Sequence, residues 1–352
     1  MGNEILVGGQ PLWQFTRDVF VKVGLSPKDA ETEADVLVWA NLRGVDSHGV
    51  QRIPGYVRGA REGWIKVDAD VRVVVEMAAM VLLEADHAFG PVVTVQAMEL
   101  AMRKAREAGT GWVLIRNTTH QGAMGYYALM AARNDMAGLA WVCNPPNMAP
   151  HGARAAGVHN SPIAIAVPGK QRPPLVLDMA TSVAARGKVD VALDKGVPIP
   201  EGWALDGDGN PTTDPGQVAV MLPAGGYKGY GLALMLECLS SLMVGNPLLS
   251  PTLLGRAEKP PRGTQNSVVA AINIGAVTDV ERYKGEIDDL ARGLKALPTA
   301  QGFDEVLVPG EPEERVYQQR QRHGIPLPAE TFRRLEEVAT ELQVAMPEGR
   351  AA

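Results

Sequence analysis

Apolar residues recur at helical spacing in several stretches of the chain. Two helices are predicted near the amino terminus. The second has Ser26 as its N-cap and Pro27 in its first turn, and it ends at Arg43 and Gly44. The long apolar stretch 231–244 predicts a buried helix. The remaining predicted helices lie at 95–109, at about 124–133 and at 328–342, the last with Pro328 as its first residue.

Runs rich in β-branched and other apolar residues lie between these helices and predict strands. Because helices and strands alternate along the chain, the pattern indicates the α/β class. The segment 246–264 is expected to form a long surface loop. The predicted strands lie at 71–75, 80–84, 111–115, 137–142, 163–167, 175–177 and 268–274.

Composition agrees with a folded globular protein, since 46% of the 352 residues are hydrophobic and 21% are charged. The net charge of −6 provides no basic field for a nucleic acid. Cys143 and Cys238 are too few for a disulfide framework, which favours a reducing, cytoplasmic setting. The amino terminus has no signal-peptide pattern, and the apolar stretch is shorter than the roughly 20 residues that a membrane helix needs.

Neither of the common phosphate-binding motifs, G-x-G-x-x-G and G-x-x-x-x-G-K-[ST], occurs in the chain. The run 225–231 nevertheless has four glycines and Lys228 just before a predicted helix. Its backbone N–H groups, helix N-terminus and ammonium could converge on a phosphate, or its glycines could only permit close packing. No metal is expected, because the six histidines lack ligand spacing and 206–217 departs from a calcium loop at Pro211 and Gln217.

The segment 46–52 (DSHGVQR) is the sharpest chemical signal. If a helix begins near His48, then His48 and Arg52 lie on one face of it. An imidazole can exchange the proton of a hydroxyl group, and a guanidinium can hold a carboxylate. The alternative is that Asp46 or Ser47 only caps the helix and His48 packs.

A second polar segment, 117–125, follows a predicted strand and opens a predicted helix. Ligands favour this position because strand ends and helix N-termini present free N–H groups. The alternative is a capped turn in which His120 is incidental.

Together these segments resemble the type-2 malate/L-lactate dehydrogenase family of NAD(P)-dependent oxidoreductases, which also includes ureidoglycolate, sulfolactate, diketogulonate and cyclic-imine enzymes. The resemblance spans nearly the whole chain. Its blocks are RGVDSHGVQR (43–52), THQGAMGYY (119–127), PNMAPHGARAAGVHNSPIAIAVP (146–168), LDMATSVAARGKV (177–189), GWALDGDGNPTTDP (202–215), GGYKGYGLAL (225–234) and VPGE (308–311).

The resemblance implies an α/β, or α+β-like, fold that binds NAD(P) without a Rossmann unit, which would explain the missing glycine motif. A central cofactor-binding domain, 76–299, is expected to have a largely antiparallel sheet flanked by helices. Segments 1–75 and 300–352 are expected to form a helical lobe. The resemblance also implies a homodimer.

The resemblance further implies that His48 is the acid/base, that Ser47 orients it and that Arg52 holds the substrate carboxylate. His120 is the competing candidate for proton transfer, and Asn160 is a candidate substrate or cofactor ligand. The residues expected to contact NAD or NADP are His120, Gln121, Gly122, Ala123, Met124, Asp178, Met179, Ala180, Arg186, Gly187, Lys188, Lys228, Gly229, Pro309, Gly310 and Glu311.

The expected reaction is hydride transfer between nicotinamide and C2 of a small 2-hydroxy or 2-keto acid resembling malate or lactate. Lys188 favours this reading, because the cyclic-imine reductases carry an acidic residue there. An NADPH-dependent cyclic imino acid (ketimine) reductase is the alternative, and a dinucleotide-binding protein without turnover is a more distant one. Departures from the family pattern at 159–162 and Ala153 leave the identity of the acid open.

Overall fold

The structure is a computed structural model that describes residues 4–351, without the side chains of 194 and 195. Many helices begin and end at local signals in the sequence, as α2 does where the Ser26 hydroxyl accepts the Asp29 N–H. The helices are α1 (Gly9–Val23), α2 (Pro27–Leu42), α3 (Ile53–Glu62), α4 (Gly90–Ala108), α5 (Gly125–Ala132), α6 (Arg186–Lys195), α7 (Tyr227–Glu237), α8 (Ser250–Leu253), α9 (Val280–Lys295), α10 (Glu311–His323) and α11 (Ala329–Leu342).

The strands form one large sheet and two small ones. They are β1 (Glu4–Val7), β2 (Arg72–Glu76), β3 (Met80–Glu84), β4 (Thr110–Thr118), β5 (Met136–Cys143), β6 (Ile163–Val167), β7 (Leu175–Met179), β8 (Ala204–Leu205), β9 (Pro211–Thr212), β10 (Val220–Met221), β11 (Gln265–Asn273), β12 (Ile325–Pro328) and β13 (Gly349–Ala351).

The large sheet has the order β2-β3-β4-β11-β5-β6-β7. Strands β3 and β4 are parallel, and each of the other neighbouring pairs is antiparallel. Strand β11 enters the middle of the sheet from late in the chain and is almost entirely buried. Helices α4 and α5 pack on the sheet, so the fold is a mixed α/β structure with a large, mostly antiparallel sheet flanked by helices. Strand β2 forms one edge of this sheet, although 72–75 lie in the segment that the resemblance assigns to the helical lobe.

A second core joins the two ends of the chain. Side chains of α1, α2, α3 and α11 pack around Leu12, Phe20 and Leu335, all of which are buried. Strand β1 pairs with both β12 and β13, which fastens the amino-terminal segment to the carboxyl-terminal one. Burial of these apolar side chains is the main force that holds this lobe together.

Three predicted elements differ in detail from the structure. The apolar stretch 231–244 forms α7 followed by a π-helical turn, Cys238–Leu242, and several of its apolar side chains are exposed. A stretch that is apolar on all sides gives no periodicity from which to identify an outer face. Pro328 ends β12 opposite Glu4 instead of beginning a helix, so α11 starts at Ala329. The loop 246–264 contains α8.

None of the helices in the part of the chain that the structure describes is long and apolar enough to cross a membrane.

Candidate functional site

The segment from Asp46 to Arg52 does not form one helix, so the expectation that a helix begins near His48 is wrong. Two short 3-10 turns, Asp46–His48 and Val50–Arg52, flank an extended Gly49, and α3 begins at Ile53. His48 and Arg52 nevertheless face the same cavity. Their proximity therefore comes from the two turns and not from helical spacing.

Asn41, which is buried on α2, explains why the backbone bends here. Its side-chain oxygen accepts the Val50 N–H at 2.8 Å, and its side-chain nitrogen donates to Asp46 at 2.7 Å. These bonds satisfy loop groups that a helix would otherwise pair internally. A Cβ at Gly49 would lie 2.1 Å from the Asn41 oxygen, so this close approach requires glycine.

A residue far along the chain also holds the loop. Arg320 on α10 donates to both carboxylate oxygens of Asp46, at 2.6 and 3.0 Å, and to the Asn41 carbonyl. Such a two-pronged guanidinium bond fixes orientation as well as distance. Neither Asp46 nor Ser47 caps a helix by its side chain, because the Ser47 hydroxyl instead lies 2.9 Å from Nδ1 of His48.

The cavity beside this loop has a volume of about 500 Å³, within the range of small-molecule sites. It brings together six residues expected from the sequence: Ser47, His48, Arg52, Asn160, Arg186 and Gly187. Sequence reasoning missed its other lining residues, which are Gln51, Pro54, Ala185, Asp190, Thr331 and Arg334. Thr331 and Arg334 come from α11 and carry no local sequence signal, because only the packing of the chain ends brings α11 here.

The two candidate histidines are neighbours, with ring centroids 5.4 Å apart and planes 21° from parallel. Burial, and secondarily the charge of Arg52, lowers the pKa of His48 from 6.5 to about 4. Burial lowers the pKa of His120 well below its ordinary value, with the Arg52 charge adding to the effect. Both imidazoles are therefore neutral at neutral pH.

Arg52 is held against the same loop by its own side chain. Its Nε–H donates to the Ser47 carbonyl at 2.6 Å. This bond fixes the plane of the guanidinium beside His48, where a planar fork of donors suits a carboxylate.

Asn160 reaches the cavity from the segment before β6. Its N–H donates to Asn147 at 2.8 Å, and its side-chain oxygen accepts from the Asn147 amide at 3.0 Å. Its carbonyl accepts the Thr181 N–H, which ties it to the segment after β7. The side-chain nitrogen of Asn160 is thus the group best placed to contact a ligand.

Two of the expected cofactor segments, 120–124 and 178–180, meet at the start of α5. The Gly125 N–H donates to the Asp178 carboxylate at 2.8 Å. The Asp178 carboxylate lies against the start of α5, and burial there raises the pKa of the carboxyl group to about 6. Another expected cofactor segment, 309–311, joins β7 where the Val176 N–H donates to the Pro309 carbonyl at 3.1 Å.

Glu311 forms ion pairs with Lys295 and Arg315, each at 2.6 Å. These bonds lower the pKa of its carboxyl group, although burial opposes them. The carboxylate of Glu311 is thus engaged within the protein.

The glycine-rich run 225–231, at the start of α7, includes a glycine that permits close packing against the segment after β7. A Cβ at Gly229 would lie 2.4 Å from the Thr181 carbonyl, which also accepts the Ala224 N–H. Gly225 and Gly226 have φ of 61° and 62°, a conformation that favours glycine. The adjoining N-terminal turns of α6 and α7 carry Arg186, Lys188 and Lys228. Cations beside helix N-termini fit the phosphates of a dinucleotide.

Among the side chains that the structure describes, no group of three or more histidine, cysteine, aspartate or glutamate residues could hold a metal ion.

Comparisons with known proteins show the family to which this chain belongs. A sequence model described as malate/L-lactate dehydrogenase matches residues 9–336. The L-sulfolactate dehydrogenase of Methanocaldococcus jannaschii is 40% identical over 92% of this chain and 94% of its own length. Its solved structure has a TM-score of 0.87 and 37% identity, covering 97% of this chain and 98% of that chain.

A further relative and a further solved structure are also similar to this chain. The malate dehydrogenase of Pyrococcus abyssi is 36% identical over 97% of this chain and 96% of its own length. The solved Δ1-piperideine-2-carboxylate reductase of Pseudomonas syringae pvar. tomato has a TM-score of 0.81 and 30% identity. That match covers 95% of this chain and 99% of the reductase.

Proposed function

Because this chain belongs to the malate/L-lactate dehydrogenase family, we propose that it transfers a hydride between a nicotinamide cofactor and C2 of a small 2-hydroxy or 2-keto acid. The observation that carries the proposal is the cavity in which His48, Ser47 and Arg52 lie together. Oxidation of a 2-hydroxy acid needs a group that takes the hydroxyl proton and a cation that binds the carboxylate, and this cavity wall has both.

In this proposal His48 accepts the hydroxyl proton during oxidation and returns it to the carbonyl oxygen during reduction. The bond from Ser47 to Nδ1 orients the imidazole. Arg52 binds the carboxylate and thereby places the neighbouring C2 beside His48. Asn160, in the segment before β6, provides a further polar contact with the substrate.

The cofactor is NAD or NADP, held by the segments 120–124, 178–180, 186–188, 228–229 and 309–311. When it is bound, nicotinamide supplies the hydride acceptor or donor. Arg186, Lys188 and Lys228 would bind its phosphates beside the helix N-termini.

The proposal includes a non-Rossmann cofactor domain at 76–299, a helical lobe of 1–75 with 300–352, and a cytoplasmic homodimer.

The alternative is an NADPH-dependent cyclic imino acid reductase, which the similarity to the piperideine-2-carboxylate reductase supports. Lys188, in the first turn of α6, favours the hydroxy acid reaction.

The test is the consumption of NADH and of NADPH with pyruvate, oxaloacetate, longer 2-keto acids and Δ1-piperideine-2-carboxylate. We expect the absorbance of the reduced nicotinamide to fall with a 2-keto acid. Turnover with the cyclic imine alone would assign the protein to the alternative. Stoichiometric cofactor binding without turnover on any substrate would refute both.

The position of Arg334 indicates which 2-keto acids this protein should prefer as substrates. It is a third arginine on the cavity wall with Arg52 and Arg186, and such a set suits a substrate with a second anionic group. We expect Arg334→Gln to lower kcat/KM for oxaloacetate about tenfold while changing that for pyruvate little, because only oxaloacetate has a second carboxylate.

Arg333→Gln is the matched control, because Arg333 is the neighbouring residue on α11 and pairs with Glu330 as Arg334 does, but is not among the residues that line the cavity. Equal losses for both acids in Arg334→Gln would contradict a role for Arg334 in selecting the second anionic group.

A further inference from the structure

The hydrogen bonds around His120 determine which of its ring nitrogens carries the hydrogen. Nδ1 lies 3.2 Å from the backbone nitrogen of Gly122, whose N–H points at it. A backbone N–H can only donate, so Nδ1 must accept. The hydrogen of the neutral ring is therefore on Nε2.

Tyr56 makes a second and shorter bond to the same nitrogen. Its hydroxyl oxygen lies 2.6 Å from Nδ1 of His120 and 3.2 Å from the His120 carbonyl. Since Nδ1 carries no hydrogen, the phenol must be the donor in the shorter contact. Burial raises the pKa of Tyr56 well above its ordinary value, which keeps the phenol protonated and able to donate.

Packing fixes both partners of this bond. The Tyr56 ring is buried against Phe20 and Phe89, with centroids 6.3 and 6.4 Å away. On the other side, a Cβ at Gly90 would lie 2.3 Å from the His120 carbonyl, so α4 presses directly on this backbone. The pair has little freedom to rearrange.

We propose that Tyr56 is a positioning residue that holds His120 with its hydrogen on Nε2, so that His120 donates a hydrogen bond to the reacting oxygen while His48 carries the proton. This inference rests on the proposed function. In the direction of reduction, C2 accepts the hydride and the bonding pair of the carbonyl moves to oxygen. That oxygen takes a proton that His48 has first taken up from solvent, which returns His48 to its neutral form. The Nε2 hydrogen stays on His120 throughout.

The charges near the site support this division of roles. The His48 ring stacks on His120, the Tyr56 phenol bonds to it, and the charges of Arg52, His48 and His159 all lower its pKa. Beside the fixed charge of Arg52, two stacked imidazoles cannot readily both be protonated. A neutral imidazole that donates through Nε2 stabilises negative charge developing on the oxygen without exchanging a proton.

The direct test is ¹⁵N NMR of the histidine side chains in the full-length protein without substrate. The spectrum of His120→Gln assigns the His120 signals. We expect Nδ1 to have the chemical shift of an unprotonated nitrogen and Nε2 that of a protonated one. The opposite pattern would overturn the proposal.

Tyr56→Phe removes only the hydroxyl and leaves the longer Gly122 N–H contact as the one bond to Nδ1. Because that weaker contact alone favours the tautomer less, we expect the two His120 shifts to move toward each other as the second tautomer becomes partly populated. Tyr126→Phe is the matched control, because Tyr126 lies on α5 with its ring against Trp39 and should leave the shifts unchanged. Unchanged His120 shifts in Tyr56→Phe would refute the positioning role.

Kinetics provides an independent readout. With a 2-keto acid that the wild type reduces, Tyr56→Phe should lower kcat about tenfold with KM nearly unchanged, because the lost bond matters most as charge develops on the oxygen. An effect confined to KM would contradict the proposal. If the wild type reduces no 2-keto acid, the proposed function fails, whereas the NMR result still decides the tautomer.

Discussion

Replacing His48 with alanine is expected to lower kcat about 100- to 10,000-fold, the usual contribution of a positioned acid/base. Binding of the cofactor should change little, because His48 lies on the wall formed by the loop between α2 and α3. The measurement is steady-state turnover of the best 2-hydroxy acid together with the Kd of the reduced cofactor from its fluorescence.

The pH profile provides a second readout of His48. To accept the hydroxyl proton His48 must be neutral, and its pKa is lowered from 6.5 to about 4, mainly by burial and secondarily by Arg52. For oxidation, kcat/KM of the wild type should therefore be constant near neutral pH and fall only as the pH approaches 4. The His48→Ala variant should lack this limb.

His323→Ala is the matched control, because His323 is an exposed histidine at the end of α10. Turnover of His48→Ala close to that of the wild type would remove His48 from the mechanism. Proton transfer would then fall to His120, and the proposed role of His120 as a hydrogen-bond donor that keeps its hydrogen would have to be abandoned as well.

Replacing Arg52 with glutamine should lower kcat/KM about 100-fold or more, because a carboxylate would enter the site without its cationic partner. The loss should occur in both KM and kcat, since Arg52 also places C2 beside His48. Steady-state kinetics with a 2-hydroxy acid measures both parameters.

Arg52→Gln should also shift the pH profile. Burial, the main cause of the lowered His48 pKa, remains in this variant, but the secondary effect of the Arg52 charge is removed. The pKa of His48 should therefore rise in part, and the acidic limb of kcat/KM should move slightly to higher pH. Arg52→Lys keeps the charge but not the planar fork, so it should lose affinity while the limb stays in place.

Arg58→Gln tests for general effects of losing an arginine, because Arg58 is exposed on the neighbouring helix α3. If Arg52→Gln kept the wild-type kcat/KM, the carboxylate would have to be bound elsewhere, and Arg186 and Arg334 would be the remaining arginines of the cavity.

Local signals in the sequence were sufficient where neighbouring residues decide the structure. The cap at Ser26 and the first-turn Pro27 placed α2 within a residue or two, and the apolar runs 80–84 and 163–167 coincide with β3 and β6. Family membership was also accessible, because its blocks are continuous in sequence, and the match over 9–336 confirms it.

The candidate site was only partly accessible. The sequence identified His48 and Arg52 as a pair, but it did so from a predicted helix that the structure does not contain. The helix is absent because the side chain of Asn41 replaces its hydrogen bonds. Tyr56 was missed, although it follows Arg52 by four residues, a spacing that could have drawn attention to it.

The sequence by itself determined the local elements, the family and the set of side chains that can exchange a proton or hold a carboxylate. Only the tertiary structure decided which of them meet and in what protonation state. Arg320 holds Asp46 across 274 residues, and Tyr56 meets His120 across 64. Hydrogen-bond partners so distant, and the burial that lowers both histidine pKa values, depend on packing, which no local pattern encodes.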